Sequence, residues 1–177
     1  MSANDTRPCP ACGCENIRGA DACVSCGSDL TKFDRPKPES RLAAHIMATR
    51  IDALKLDDPL VVEESTTLGE IVNLLADHDK GCVLARDRNG RLAGIFGERD
   101  ILIHHAHRED DWRSEPVAAY MIPEPVALHG SSTIAVALNK MDIGGYRHIP
   151  VVNGQEEPIG VLSVKTVLNH LQTWMEE

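Results

Sequence analysis

The segment GIFGERDIL at residues 94–102 returns 66 residues later as GVLSVKTVL at residues 160–168. The same offset pairs Pro59 with Pro125, Leu68 with Ile134, Val72 with Leu138 and Leu102 with Leu168, and no gap is needed. A duplication constrains the fold more tightly than composition does. Two copies of one pattern adopt one local structure, and a unit of this size is too small to bury both faces of a sheet alone.

In the first copy, LVV at residues 60–62 reads as a short strand, and Leu68, Ile71, Val72 and Leu75 recur at helical spacing. CVLA then reads as a strand, RDRNGR as a hairpin turn and LAGIF as its partner, before a helix over about residues 98–106. The second copy repeats the order: VAL, a helix over about 133–142, IPVV, a turn at Asn153-Gly154, IGVL, and a helix to about Trp174. Each unit is therefore strand-helix-strand-strand-helix, an α+β arrangement in which the two βαββα units are expected to pack face to face as a pseudo-two-fold pair.

The N-terminal segment follows a different logic. Five of the six cysteines crowd between Cys9 and Cys26, and CPACG and CVSCG place Cys9 with Cys12 and Cys23 with Cys26, each pair followed by a glycine, Gly13 or Gly27. Two C-x-x-C turns can close a tetrahedral thiolate cage around one ion. Few large apolar residues lie between Ala11 and Ala22, so metal must supply the order; structural zinc in small peptides contributes about 10–16 kcal/mol. The segment resembles the zinc-ribbon family over residues 8–30, with Cys14 as a fifth thiol outside the pattern. A disulfide-stapled loop, or iron in the four-thiolate site as in a rubredoxin-like electron carrier, remains an alternative. The proline-bearing TKFDRPKPES reads as a linker, and Leu42, Ile46, Met47, Ile51 and Leu54 predict a helix after it, capped by Ser40. These readings divide the chain into a ribbon (1–32), a linker (33–40), a first repeat with its leading helix (41–108) and a second repeat (109–177).

The segments DDPLVV and PEPVAL before the copies, GYRHIPVVN before the second hairpin, and the glycine-led GIFGERD and GVLSVKT give residues 54–171 a resemblance to a tandem pair of cystathionine β-synthase (CBS) domains, a Bateman module. The resemblance implies a disc-like homodimer and an adenine nucleotide or S-adenosylmethionine in the cleft between copies, although some such modules bind nothing known. It assigns Asp100 as the ribose-binding acid, and a carboxylate suits two adjacent hydroxyls; the alternative is that Asp100 complements a helix N-terminus. Gly97 stands where a hydroxyl residue is usual. In the second copy Ser163 keeps that hydroxyl, while Thr166 replaces the acid. Arg147 and His148 fall where related modules contact phosphate, and the guanidinium fork of Arg147 suits phosphate oxygens. The base is expected near Ile122, Val126 and Ala127, with Ile122 in place of a frequent threonine. One dominant site built on Asp100, Arg147 and His148 follows, with a weaker one at Thr166. Gly81 and Cys82 supply no cation in copy one; Lys80 reads as an exposed turn lysine, with a cation substituting from the neighbouring position as its alternative role, Cys82 as a buried inert thiol, and His104, His105 and His107 as a solvated helix end in preference to a metal site.

The 177 residues, 42% of them hydrophobic, carry a net charge of −9, which disfavours long-range attraction to nucleic acid or anionic membrane. Residues 1–33 hold Arg7, Arg18 and Lys32 against Asp5, Glu15, Asp21 and Asp29, so a nucleic-acid-binding adaptor is the lesser reading. No apolar run approaches the roughly 20 residues that span a bilayer, and the N-terminus lacks the apolar core of a secretory signal, giving a cytoplasmic expectation. No nucleophile pair, phosphate loop or open metal site stands out. The sequence therefore predicts a non-catalytic regulatory module that binds an adenine nucleotide, with the zinc ribbon docking a protein partner.

Overall fold

The computed structural model describes residues 6–17, 20–30, 38, 40–105 and 108–176. Most of the expected linker, together with Arg18, Lys32, Ala106 and His107, lies outside the described residues. Strands β1 (Thr6–Pro8) and β2 (Glu15–Ile17) form an antiparallel hairpin with Thr6 opposite Ile17 and Pro8 opposite Glu15. Helix α1 (Arg41–Ala48) begins where Ser40 Oγ accepts the Ala43 N–H at 3.0 Å. It is shorter than its apolar spacing predicts. The chain turns extended at Thr49, and Ile51 enters a separate 3-10 turn over Ile51–Ala53, with Leu54 as its extended C-cap.

The first repeat runs β3 (Val61–Glu63), α2 (Leu68–His78), β4 (Cys82–Arg86), β5 (Leu92–Gly97) and α3 (Glu98–His105). Two 3-10 turns, Trp112–Ser114 and Val117–Ala119, lead to β6 (Ile122–Pro123). The second repeat runs β7 (Leu128–His129), α4 (Ile134–Gly144), β8 (His148–Val152), β9 (Pro158–Ser163) and α5 (Val164–Glu176). Helices α2 and α4, strands β4 and β8, and strands β5 and β9 begin and end at the sequence offset of the repeat.

Local chemistry explains the match. Thr67 and Thr133 accept N–H groups of the first helical turn, and Glu70 completes a capping box on Thr67. Both helices stop at a left-handed residue, Asp79 in one and Gly145 in the other. In the hairpin turns, Asp87 accepts the N–H groups of Asn89 and Arg91, and Asn153 accepts those of Gln155 and Glu157.

The sheets run β3-β4-β5-β6 and β7-β8-β9, with the first pair of each parallel and the hairpin antiparallel. The segments leading into the copies are exchanged. Strand β6 precedes copy two in sequence but extends the sheet of copy one, with Ile122 opposite Ile95, and Val117 is buried among Val62, Leu68, Ile71, Val83 and Phe96. Reciprocally, Ile51 and Leu54 are buried among Leu128, Ile134, Ile149 and Leu162 of copy two, and α1 packs on α4. A small cluster of Cys82, Leu84 and Val161, flanked by Leu92 and Ile95, joins the two sheets.

The exchange is reciprocal except in register. The gapless offset would set Leu56 opposite Val161, as Ile122 is opposite Ile95. Instead Asp57 pairs with Val161, through hydrogen bonds of 3.3 and 3.1 Å. The residue that seats on the strand glycine shifts in step: Met121 covers Gly94, whereas Leu56 covers Gly160. Thus Asp57 occupies the place in copy two's sheet that Ile122 occupies in copy one's.

Because Ile51 is fully buried in the core of copy two, Ile51→Ala should cost about 2–5 kcal/mol. In hydrogen exchange of the full chain, protection should fall in α4 and β8 before α2 and β4; loss confined to α2 and β4 would contradict the exchanged packing.

Candidate functional site

The sulfurs of Cys9, Cys12, Cys23 and Cys26 lie within 4.8 Å of one another. Cys9 Sγ is 3.7 Å from Cys26 Sγ, and Cys12 Sγ is 3.6 Å from Cys23 Sγ. All six cysteines are free thiols, so these pairs are not disulfides. A tetrahedral ion with metal–sulfur bonds of about 2.3 Å places its sulfurs about 3.8 Å apart, so the donor set fits such an ion. The two turns are built alike. Gly13 and Gly27, both at positive φ, donate N–H to the carbonyls of Cys9 and Cys23, and the N–H groups of Ala11 and Ser25 point at the sulfurs of the same two cysteines.

Buried Asn16 ties the hairpin to the second turn: its amide nitrogen approaches Cys23 Sγ at 3.5 Å, and its oxygen accepts the Val24 N–H. The Cys26 backbone N–H, with those of Ser25 and the Asn16 amide, draws the Cys23 thiol down to about 6. Cys14 stands outside this set and points at the Glu15 carbonyl. Leu30 is the one large apolar side chain buried with the cluster among the described residues, so apolar packing contributes little order here.

Between the repeats lies a cleft of about 960 Å³. Its walls are residues 53–60 of the lead-in segment, the turn at Asp79–Cys82, Arg147 and His148 at the head of β8, and the junction of β9 with α5. The volume is in the range of small-molecule sites. Lys55, Lys80, Arg147 and Lys165 line it, against Asp57, Asp58 and Asp79. His148 packs on Gly81 so closely that a β-carbon there would lie 2.8 Å from the imidazole Cε1; only glycine leaves that space. Burial pushes the His148 imidazole below its usual value despite the nearby charges of Glu98 and Asp57, so it is neutral at pH 7. Burial likewise pushes the Cys82 thiol up to about 12, in keeping with an inert buried group.

At the far wall, Ser163 Oγ accepts the Thr166 N–H at 3.1 Å and caps α5. The Ser163 hydroxyl lies 2.8 Å from Thr166 Oγ1, which donates to Asp57 Oδ2 at 2.9 Å. The wall continues along α5 to His170, whose Nε2 is 3.0 Å from Nε2 of His45 on α1. The His45 ring lies flat on Trp174 at 4.2 Å, so that tryptophan packs the wall.

Of the residues singled out from sequence, Arg147, His148, Ser163 and Thr166 share this cleft; Gly97, Asp100, Ile122, Val126 and Ala127 do not line it. Arg147 and His148 thus line the cleft with Ser163 and Thr166, and the exchange of lead-in segments brings residues 53–60 to the same walls by carrying them across to β9. Asp100 Oδ2 accepts the Gly97 N–H at 2.8 Å at the start of α3, the helix-terminal arrangement that sequence left as its alternative role. Lys80, read as a turn lysine, lines the cleft, as do Lys55 and Asp57, which the repeat alignment did not single out. No helix among the described residues is long and apolar enough to cross a membrane.

Comparison with known proteins agrees with this architecture. The sequence model described as the CBS domain matches residues 43–106 and 117–173; the four-cysteine segment lies outside both matches. A 17.7 kDa protein of Acidianus ambivalens is 26% identical over 125 residues, 71% of this chain and 74% of its own length. The CBS domain-containing protein CBSCBSPB5 of Arabidopsis thaliana is 37% identical over 107 residues, 60% of this chain but 19% of its own length. Among solved structures, a CBS domain protein of Pyrobaculum aerophilum complexed with AMP is 29% identical, with a TM-score of 0.61 over 70% of this chain and 98% of that one.

Two predictions follow from these geometries. Elemental analysis should find one metal ion per chain, lost in Cys23→Ser and retained in Cys14→Ser; the opposite pattern would redraw the cluster. Unfolding frees His148 to its usual value of 6.5, so below that pH the unfolded chain takes up a proton that the folded chain resists. Stability should therefore fall as pH drops below 6.5, and His148→Asn should flatten that part of the slope in pH-dependent urea melts.

Proposed function

The chain belongs to the CBS-domain family, and on that premise we propose that it is a non-catalytic regulatory module whose cleft at Arg147 and Thr166 binds an adenine nucleotide. The observation that carries this reading is the cleft itself. It is large enough for a nucleotide, it lies between the repeats, and it sets a guanidinium and three lysines along its walls. Arg147 and Lys80 meet the phosphate, the arginine by a paired charge-assisted contact and the lysine as a point charge. The AMP held by the Pyrobaculum relative supports the ligand class.

Ligand binding changes a protein's state only by preferring one conformation over another. Here the walls come from both repeats and from the crossing segment, so a bound nucleotide ties these elements together. The thiolate cluster holds zinc as a structural ion, and the ribbon built on it docks a protein partner that reads the state of the cleft. The pair of repeats forms a homodimer, and reduced thiolates suit a cytoplasmic setting.

Calorimetric titration of the full chain with AMP, ADP and ATP tests the proposal. Arg147→Ala should weaken binding by about tenfold or more, the worth of a charged hydrogen bond. Asp100→Ala, at a residue that does not line the cleft, should change it by less than about threefold. A chain that binds none of the three, or whose affinity is indifferent to Arg147, would sink the assignment.

A further inference from the structure

We propose that Asp57, not Asp100, is the carboxylate that holds the ribose of the ligand; the assignment rests on the cleft being a nucleotide site. Four observations converge on it. Asp57 lines the cleft, whereas Asp100 does not. Its backbone is fixed, because both its N–H and its carbonyl are bonded to Val161 of β9. Its side chain is held at one oxygen, where Oδ2 accepts the Thr166 hydroxyl at 2.9 Å. Finally, its charge acts on both His148 and Cys82, which line the cleft, whereas that of Asp100 acts on Cys82 alone of the two.

The chemistry fits a vicinal diol. A carboxylate offers about four lone-pair sites, and the Thr166 bond uses one of them. The others remain for two adjacent hydroxyls, which donate to a carboxylate as they do at dinucleotide sites. The Thr166 hydroxyl already accepts the Ser163 N–H and donates to Asp57, and it brings no charge. Anchored to Asp57 and Ser163, it serves as a positioning residue that fixes the direction of the acid.

The register slip explains why an acid can stand here. In copy one's sheet the equivalent place belongs to Ile122, which is half exposed and cannot accept a hydrogen bond. In copy two's sheet the slip of one residue seats Leu56 on Gly160 and brings Asp57 to the position opposite Val161. The half-site that lost its acid at residue 166 thus receives one from the crossing strand. Asp100, in the other half, has the Gly97 N–H as its partner.

Binding of AMP and 2′-deoxy-AMP to the full chain, measured side by side, tests the assignment. The wild type should favour AMP by about tenfold, the worth of one charge-assisted hydrogen bond. Asp57→Asn should reduce that preference to less than about threefold while retaining binding of the deoxynucleotide, and Asp100→Asn, outside the cleft lining, should keep the full preference. Discrimination that survives in Asp57→Asn, or disappears in Asp100→Asn, would overturn the role of Asp57. Wild-type binding of both nucleotides with equal affinity would overturn the ribose contact and leave the nucleotide site standing. No binding of AMP by the wild type would overturn both. The wild-type comparison needs no variant to fold.

Discussion

The exchange of lead-in segments is the constraint on which the rest of the structure depends. Neither repeat closes its core with its own residues: Ile51 and Leu54 complete the second, and Val117 completes the first. Burial of these side chains is non-directional and proportional to apolar area, so it sets which segments cross without fixing where each backbone stops. Directional hydrogen bonds to Val161 and Ile95 do that. The cleft takes one wall from the crossing segment, which is bonded to Val161 of β9. Its position follows from the interlock, and its charges are those that residues 53–60, the heads of β4 and β8, and the start of α5 carry there.

The thiolate cluster obeys the opposite rule. With Leu30 as its single large buried apolar side chain among the described residues, the segment cannot offset the conformational entropy of its turns by burial. The sulfurs are instead held by backbone N–H groups and Asn16 at separations that a tetrahedral ion would impose. Where four thiolates close on an ion, the stability of such a segment is a metal-binding free energy, whereas that of the repeats is a packing free energy. Chelation and core substitution should act on different parts of one chain.

Much of this was legible in sequence because local chemistry and periodicity agreed. Thr67 and Thr133 cap, Asp79 and Gly145 terminate, and Asp87 and Asn153 turn, so α2, α4 and both hairpins could be placed by offset alone. The two C-x-x-C turns announced their cluster in the same way. Reading failed where tertiary contacts decide. Leu42, Ile46, Ile51 and Leu54 share an apolar rhythm, yet the helix ends at Thr49, since Ile51 is drawn into the core of the other repeat. The approach of residues 53–60 to Thr166 was equally invisible, because a one-dimensional alignment pairs each residue with its counterpart and says nothing about which segment crosses over.

Duplication begins with two equivalent half-sites, and symmetry keeps them equivalent while the register is shared. A slip of one residue in an extended segment exchanges the face on which every side chain lies. In the crossing strand this change is confined to a few residues, because Pro59 and Pro125 restore the common offset before β3 and β7. The core hardly registers it: Leu56 covers Gly160 much as Met121 covers Gly94. The cleft registers it fully, because the place that Ile122 takes in copy one's sheet is held in copy two's by Asp57, which lines the cleft. Apolar seats tolerate exchange of one large side chain for another, whereas a hydrogen-bonding site depends on the identity and direction of each polar atom. A duplicated fold can therefore differentiate its half-sites by a backbone shift that leaves its packing intact.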